Sequence, residues 1–135
     1  MAAEFPRHLL QHSFDHCYLV SSRKLMQLFG NEILEYLQRT GIRCATVLAE
    51  DTEQYKTWDT LKALCEELIV RGASKDSILL ALGGGMVGNV AGLAAALTFR
   101  GIRFVHIPTT LTAQTDSTLS NKQAINGSRG KNQLS

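Results

Sequence analysis

The chain has 135 residues, the length of one ordinary domain, and 44% of them are hydrophobic while 19% are charged. This composition excludes an intrinsically disordered chain, and two prolines with eleven glycines exclude collagen-like and proline-rich chains. The formal net charge of +2 is too small to predict electrostatic binding to nucleic acid. We therefore expect one globular domain that buries a core of its own.

The cysteines and the apolar stretches indicate the compartment. Cys17, Cys44 and Cys65 lie far apart with no CxxC spacing, which excludes a zinc ribbon and a dithiol redox motif. The most apolar stretch, 86–99, is too short to span a bilayer, and the first residues lack the apolar centre of a signal peptide. We expect a cytoplasmic protein with reduced, buried thiols, and no membrane partner.

The first half of the chain alternates strand-like and helix-like segments. Residues 17–20 and 44–49 are short, apolar and typical of strands. Residues 24–40 carry apolar side chains at three- and four-residue intervals and end at a glycine, which predicts a helix. A second helix is predicted over 58–71, where the apolar side chains again recur on one face.

The second half repeats this alternation around a cluster of glycines. Residues 77–82 are continuously apolar, as in a strand covered on both faces of a sheet. The glycine cluster follows, then a helix of small residues over 89–99, then a strand over 103–108. This order predicts an α/β fold: a Rossmann-like, doubly wound parallel sheet occupying 1–135. From residue 111 onward the pattern loses its period, and we expect loops that build a site.

The glycine cluster is the first candidate site. Gly83, Gly85 and Gly88 satisfy the spacing GxGxxG between a predicted strand and a predicted helix. Glycines let the main chain approach a pyrophosphate, and the N-terminus of a helix offers free N–H groups with a positive dipole. The alternative interpretation is a tight turn whose glycines only permit close packing of the helix. The cluster predicts binding of a dinucleotide, with that alternative left open.

A second candidate site lies in the polar segment that follows the last predicted strand. In open parallel sheets ligands bind at the carboxyl ends of the strands. Asp116, Lys122, Lys131 and Asn132 are suited to a polyhydroxylated or phosphorylated ligand, and Arg100 to bidentate contact with a phosphate. The alternative is an ordinary solvated loop.

The histidines give a weaker signal. His8, His12 and His16 recur at four-residue spacing, which on a helix would align three imidazoles that could bind zinc. No cysteine is adjacent, so a solvent-exposed face is the preferred interpretation. His106 lies inside a predicted strand, where a hydrogen-bonded core histidine is more frequent than a catalytic one.

The stretch GGGMVGNVAGLAAALTFRGIRFVHIPTTLTAQTDSTLSNKQAINGSRGKN resembles the central signature of the 3-dehydroquinate synthase superfamily, the sugar phosphate cyclases. The resemblance implies an N-terminal NAD-binding domain of an enzyme that uses NAD and a divalent metal, zinc or cobalt. The family takes its metal ligands, one Glu and two His, from a following helical domain, and no position here matches them. We therefore expect this chain alone neither to bind the metal nor to complete the reaction.

Two departures from the dehydroquinate synthase pattern indicate a subfamily. Those enzymes read GGGxxGDxxGF and VDSSVGGKTGVN, where this chain has Asn89 in place of the Asp and 119–121 in place of Val-Gly-Gly. The GN pair and DSxLSxKQAxN are more similar to the 2-deoxy-scyllo-inosose synthases, which act on glucose 6-phosphate in aminoglycoside biosynthesis. Dehydroquinate synthase of the shikimate pathway remains an alternative. Glycerol-dehydrogenase-like enzymes rank third, and a non-catalytic nucleotide-binding or regulatory subunit is also left open.

The resemblance implies roles for individual residues. Arg100, Asp116, Lys122 and Asn132 match substrate-contacting positions, with Asp116 and Lys122 as the catalytic pair and Arg100 reaching a phosphate across a homodimer interface. Ser22 and Lys24 stand where the family often has an acidic residue and an Asn, which would weaken contacts to a ribose. The cofactor-contacting positions are Glu53, Lys56, Gly84, Gly85, Asn89, Thr109, Thr110 and Lys131.

Overall fold

A computed structural model describes Leu9, residues 11–120 and residues 122–135. Within this part of the chain, four parallel strands form one sheet in the spatial order β2-β1-β3-β4. The strands are β1 (Cys17–Ser21), β2 (Cys44–Leu48), β3 (Ile78–Gly83) and β4 (Arg103–Pro108). The predicted Rossmann-like, doubly wound sheet is confirmed, and all four strands lie within one or two residues of their predicted bounds.

Three helices connect the strands. Helix α1 has three consecutive parts: an α-helical turn Arg23–Leu25, a π-helical segment Met26–Gly30 and an α-helix Asn31–Arg39. Helix α2 spans Trp58–Val70 and α3 spans Gly85–Leu97. Helix α3 begins four residues before its predicted start, because the glycines at its beginning join the helix instead of forming a separate loop.

The core has two layers, one on each face of the sheet. Side chains alternate along β1 and β3, so that Tyr18 and Leu79 pack towards α2 and α3 while Leu19 and Leu80 pack towards α1. All six residues of β3 are buried, as expected for a strand covered on both faces. Edge strands β2 and β4 are partly exposed.

The tail after β4 is more regular than the expected loop. It contains a π-helical turn, Ala113–Ser117, and an antiparallel hairpin of β5 (Ile125–Gly127) and β6 (Gly130–Leu134). A two-residue connection between two glycines closes the hairpin, which is a common hairpin geometry. The expectation of an irregular tail is therefore wrong for these two elements.

The segment before β1 does not align the histidines. Residues 11–16 form turns and irregular backbone, so His12 and His16 do not share a helix face. His16 instead lies 3.3 Å from a carboxylate oxygen of Asp15 and stacks on the ring of Tyr18. His8 lies outside the described residues. The described part of the chain contains no group of three His, Cys, Asp or Glu side chains that could hold a metal ion.

The cysteines are free thiols that differ in burial, and the helices are short. Cys17 and Cys44 are direct neighbours on adjacent strands, with their sulfurs 3.0 Å apart, and all three cysteines are unbridged. Cys17 is buried and the other two are half-buried. None of the helices in the described ranges has the length and apolarity needed to cross a membrane.

Candidate functional site

The site is built at the carboxyl edge of the sheet, where the chain changes direction. Strand β2 lies on one side of β1 and β3 on the other, so the connections leaving β1 and β3 diverge, which is the position of the ligand-binding crevice in open parallel sheets. At the end of β1, the Ser21 hydroxyl donates to the Leu82 carbonyl at 2.7 Å. Ser22 caps α1 by accepting from the Leu25 N–H at 3.3 Å. The β1 end thus presents a helix cap in place of an acidic side chain.

The glycine turn brings main chain from two strands together. The Gly83 carbonyl accepts from the Thr109 N–H at 3.1 Å, which ties the end of β3 to the residue after β4. Gly84 precedes α3 in an extended conformation, and no side chain caps the helix. A Cβ on Gly84 would lie 3.2 Å from Cγ2 of Thr110. The N–H groups of the first turn are therefore left for a ligand or water, and a side chain at Gly84 would crowd Thr110 beside them.

His106 packs underneath this turn. Its Nε2 lies 3.1 Å from the Gly83 carbonyl, which can only accept, so the proton is on Nε2. Burial lowers the pKa of His106, and hydrogen bonding to the backbone of the glycine turn opposes this shift in part. A Cβ on Gly88 would lie 2.2 Å from the imidazole Cε1. Gly88 is thus required for helix–strand packing, and His106 is a half-buried histidine with a hydrogen bond to the glycine turn, not a fully buried core residue.

Asn89 connects the turn to the tail. Its Nδ2 donates to the Gly85 carbonyl at 2.6 Å, and its Oδ1 accepts from the Ala124 N–H at 2.8 Å. Both ends of the amide are occupied by main chain. The side chain therefore fixes the segment that follows Lys122 against the first turn of α3. The predicted contact of Asn89 with a cofactor would have to form where these two segments meet.

The residues after β4 fold over the glycine turn. Thr110 Oγ1 accepts from the Ala113 N–H at 3.2 Å and so begins the π-helical turn. That turn brings Ser117 to the glycines: a Cβ on Gly85 would lie 3.2 Å from the Ser117 hydroxyl oxygen. Asp116 is exposed beside it. Two predicted cofactor residues, Thr110 and Gly85, and one predicted substrate residue, Asp116, thus share one edge.

Lys122 is held by its backbone only. Its N–H donates to Ser120 Oγ at 3.0 Å, and the Ser120 hydroxyl donates back to the Lys122 carbonyl at 3.3 Å. The Lys122 side chain is exposed. Lys131, in β6, is exposed as well. Both ammonium groups are accessible to an anionic ligand.

Glu53 and Lys56 meet the hairpin. Glu53 begins a short 3₁₀ turn, Glu53–Tyr55, that follows β2, and Lys56 is the residue directly after this turn. Lys56 is only 5% exposed, and its Nζ donates to Oδ1 of Asn132 at 2.5 Å. None of the ion pairs found among the described residues includes Lys56. A buried ammonium whose hydrogen-bond partner is a neutral amide favours a nearby anion.

Arg100 lies away from all of these groups. It follows α3, whose 13 residues span about 20 Å from the glycine turn, so Arg100 is at the amino edge of the sheet. Phe99, Arg100 and Gly101 have φ values of 52°, 67° and 112°. Left-handed backbone is unusual at two consecutive non-glycine residues and often accompanies functional sites. Within one chain Arg100 cannot reach the crevice.

Two residues of the site are not predicted from the sequence. Ser117 packs on the glycine turn, and Asn126 bonds to both Glu53 and Lys56. Asn126 stands in the tetrapeptide Ile-Asn-Gly-Ser, and an Asn-Gly pair is a hairpin signal. That signal would have placed the turn two residues too early, because the Asn-Gly pair lies in β5 and the connection is Ser128-Arg129. It gives no indication of the residues that Asn126 contacts.

Comparison with known proteins places this geometry in a family. The model of the 3-dehydroquinate synthase N-terminal domain matches residues 46–135. The 2-deoxy-scyllo-inosose synthase of Streptomyces kanamyceticus is 46% identical over 114 residues, covering 84% of this chain and 29% of that protein. The 3-dehydroquinate synthase of Haemophilus ducreyi is 42% identical over 120 residues, covering 89% of this chain and 33% of that protein.

The fold is also similar to that of a solved structure. The crystal structure of 2-deoxy-scyllo-inosose synthase complexed with carbaglucose-6-phosphate, NAD⁺ and Co²⁺ superimposes with a TM-score of 0.83 at 38% identity, over 90% of this chain and 33% of that one. The chain thus spans about a third of the length of these relatives. Because the family model covers more than half of the sequence, the chain belongs to the 3-dehydroquinate synthase N-terminal family.

Proposed function

We propose that this chain is the NAD-binding part of a sugar phosphate cyclase of the 2-deoxy-scyllo-inosose synthase type. The reaction would convert glucose 6-phosphate into a carbocycle with loss of phosphate, in the cytoplasm and in aminoglycoside biosynthesis. A continuous series of bonds carries this proposal. Gly85 bonds to Asn89 and Asn89 to Ala124, and two residues further on Asn126 bonds to Lys56. Residues assigned to a dinucleotide therefore form one connected edge.

The residues at this edge fit a dinucleotide. The uncapped N-terminus of α3 is suited to a pyrophosphate, and the missing side chains at Gly84 and Gly85 leave room for it. Lys56 and the exposed Lys131 would add positive charge. Bound NAD⁺ would supply a hydride acceptor that returns the hydride later in the same cycle. The remaining proposed cofactor contacts are Glu53, Gly83, Gly88, Asn89, Thr109 and Thr110.

The substrate would lie beside Asp116, Lys122 and Asn132. The Lys122 ammonium is accessible and suited to stabilising phosphate or oxyanion charge. The exposed Asp116 carboxylate can accept hydrogen bonds from sugar hydroxyls or relay a proton. Asn132 would contact the substrate at the point where the hairpin meets Lys56. Zinc or cobalt would be held by a second, helical domain.

Arg100 supports a homodimer in this proposal. At the amino edge of the sheet its guanidinium could contact a substrate phosphate only in the crevice of a second copy. The strained backbone from Phe99 to Gly101 is consistent with a side chain that is held outward for such a contact.

Asn89 favours the 2-deoxy-scyllo-inosose synthase type over the alternative, 3-dehydroquinate synthase. Its Nδ2 donates to the Gly85 carbonyl. An ionised Asp at this position, as in the dehydroquinate synthase pattern, has no proton to donate there. The 42% identity to a dehydroquinate synthase keeps that enzyme as the second candidate.

Calorimetric titration of this chain with NAD⁺ tests the cofactor assignment. We expect saturable binding, and the Lys56→Gln variant should bind about 10- to 100-fold more weakly, since a charge-assisted hydrogen bond contributes roughly 1.5–3 kcal/mol. Lys62→Gln is the matched control, because Lys62 is exposed on the neighbouring α2. Absence of heat at millimolar NAD⁺, or equal affinities for the two variants, would contradict the proposal.

Turnover distinguishes the substrates. A protein that joins this chain to a metal-binding helical domain should release phosphate from glucose 6-phosphate in the presence of NAD⁺ and Co²⁺. Release only from the seven-carbon precursor of dehydroquinate would establish the second candidate. Binding of NAD⁺ without turnover of either sugar would support a non-catalytic or regulatory subunit.

A further inference from the structure

Lys56, Asn126 and Asn132 form a closed ring of hydrogen bonds. The Asn126 N–H donates to the Lys56 carbonyl at 2.9 Å, and Asn126 Oδ1 accepts from the Asn132 N–H at 3.1 Å. Asn132 Oδ1 then accepts from the Lys56 ammonium at 2.5 Å. The ring holds Lys56 at both of its ends, through the backbone carbonyl and through the side-chain nitrogen.

Asn126 also fixes the turn that directly precedes Lys56. Its Nδ2 donates to the Glu53 carbonyl at 3.4 Å and to the Glu53 carboxylate at 3.3 Å. The backbone N–H, the Nδ2 group and the Oδ1 atom of Asn126 are thus all engaged. No other described side chain bonds to both Glu53 and the β6 strand.

The conformation of Asn132 belongs to the same arrangement. Its φ is 55°, in the left-handed region that asparagine tolerates better than most residues. The bond from its N–H to Asn126 holds the residue there and turns its amide oxygen to the ammonium. The amide oxygen of Asn132 is therefore already occupied by Lys56, and Asn132 orients the cation as well as lining the site.

We infer that Asn126 is a positioning residue, which acts through Asn132 to hold the Lys56 ammonium where an anionic group of the ligand binds. The buried side chain of Lys56 has four rotatable bonds, and restricting them before binding reduces the entropy lost on binding. Asn126 thereby couples the turn after β2 to the hairpin. The inference rests on the proposed NAD site, in which Lys56 contacts the cofactor.

A double-mutant cycle in the whole 135-residue chain tests the inference. Asn126→Ala should weaken NAD⁺ binding about tenfold, whereas in the Lys56→Gln background the same change should have a much smaller effect, because the ammonium that it positions is gone and only its contact with Glu53 remains. Ser128→Ala, in the exposed connection of the same hairpin, should leave the NAD⁺ affinity unchanged both in the parent chain and in the Lys56→Gln background. Equal losses in both backgrounds would mean a merely structural role and would overturn the inference.

Acetylation of lysines by a soluble active ester, followed by mass spectrometry, supplies a measurement that needs no NAD⁺. Asn126→Ala and Asn132→Ala should each raise the rate at Lys56 several-fold, since the amine is released from its ring, and should leave the exposed Lys62 unchanged. Asn132 is itself exposed, so its variant keeps the test available if Asn126→Ala fails to fold. An unchanged rate at Lys56 in the folded variants would overturn the inference. A raised rate in a chain that does not bind NAD⁺ would overturn only the proposed cofactor.

Discussion

The two edges of the parallel sheet use polar side chains in different ways. At the amino edge, Asp15 accepts hydrogen bonds from the hydroxyls of Ser74 and Ser77, and the Tyr18 hydroxyl donates to the Arg71 carbonyl at 3.0 Å. Each of these donors has an acceptor within the chain. The carboxyl edge contains uncapped N–H groups and a buried ammonium whose partner is a neutral amide. Matched polar groups stabilise the fold, whereas groups left with unused capacity can bind a ligand.

A substitution where α3 packs closely on β4, under the glycine turn, should reduce stability the most. Gly88→Ala places a Cβ 2.2 Å from the His106 ring, which is held by its bond to Gly83. We expect the free energy of unfolding, measured by urea titration, to fall by about 1–2 kcal/mol, because overpacking costs about 1–3 kcal/mol and the higher helix propensity of alanine offsets part of that cost.

Gly92→Ala is the matched control, four residues along the same helix. Its Cβ would lie 2.8 Å from Cγ of Gln123, a flexible side chain of the tail that can move. Alanine also gains about 1 kcal/mol of helix propensity over glycine, so we expect a change near zero. Equal losses in the two variants would show that the carboxyl edge is no more rigid than the tail that covers it.

The amino edge should respond to acid. Hydrogen bonds from Ser74, Ser77 and the His16 backbone outweigh the cost of desolvation and lower the pKa of Asp15 from 3.8 to about 2. A lowered pKa in the folded state means that this stabilisation is complete above about pH 4 and declines as the pH falls towards 2.

Asp15→Asn should therefore be less stable than the parent at pH 6, and the difference should shrink below pH 4. Urea midpoints across this range measure it. Affinity for NAD⁺ at pH 7 should stay unchanged, because the residue lies at the edge opposite the crevice. A stability difference that does not change with pH would contradict the role of the Asp15 carboxylate. A loss of NAD⁺ affinity would show that the two edges of the sheet are not independent.

Arg100 is the exception at the amino edge, and its replacement should change stability only slightly. Its φ of 67° costs about 1 kcal/mol for a residue with a Cβ, partly offset by the flexibility that glycine adds to the unfolded chain. Arg100→Gly should raise the free energy of unfolding by less than about 1 kcal/mol. A loss of stability would indicate that the guanidinium contributes to this fold rather than to a second copy.

The elements that could be predicted are those with strong local patterns. The continuous apolar run of β3 and the three- and four-residue spacing of α1 identify their elements, because burial imposes a period of two or 3.6 on the sequence. The start of α3 and the hairpin were missed. Both depend on glycines, whose conformational freedom makes turn, helix and strand equally accessible from the sequence alone.

The candidate site was predictable in its chemistry and only partly in its arrangement. Gly84, Gly85 and Thr110 come together as their position after adjacent strands predicts. Asn89 was expected at a cofactor, yet its amide bonds the main chain at both ends. A residue type shows what a side chain can donate or accept, whereas its partner depends on which other segment packs against it.

The sequence by itself determined the α/β alternation, the glycine turn and the set of charged groups available for a dinucleotide and a sugar phosphate. These follow from local periodicity and from the chemistry of residues close together in the chain. The tertiary structure alone decided that Lys56 meets Asn132, 76 residues away, and that Arg100 faces away from the crevice. Such pairings depend on distances and angles between segments that meet only when the sheet has formed, and no local pattern encodes them.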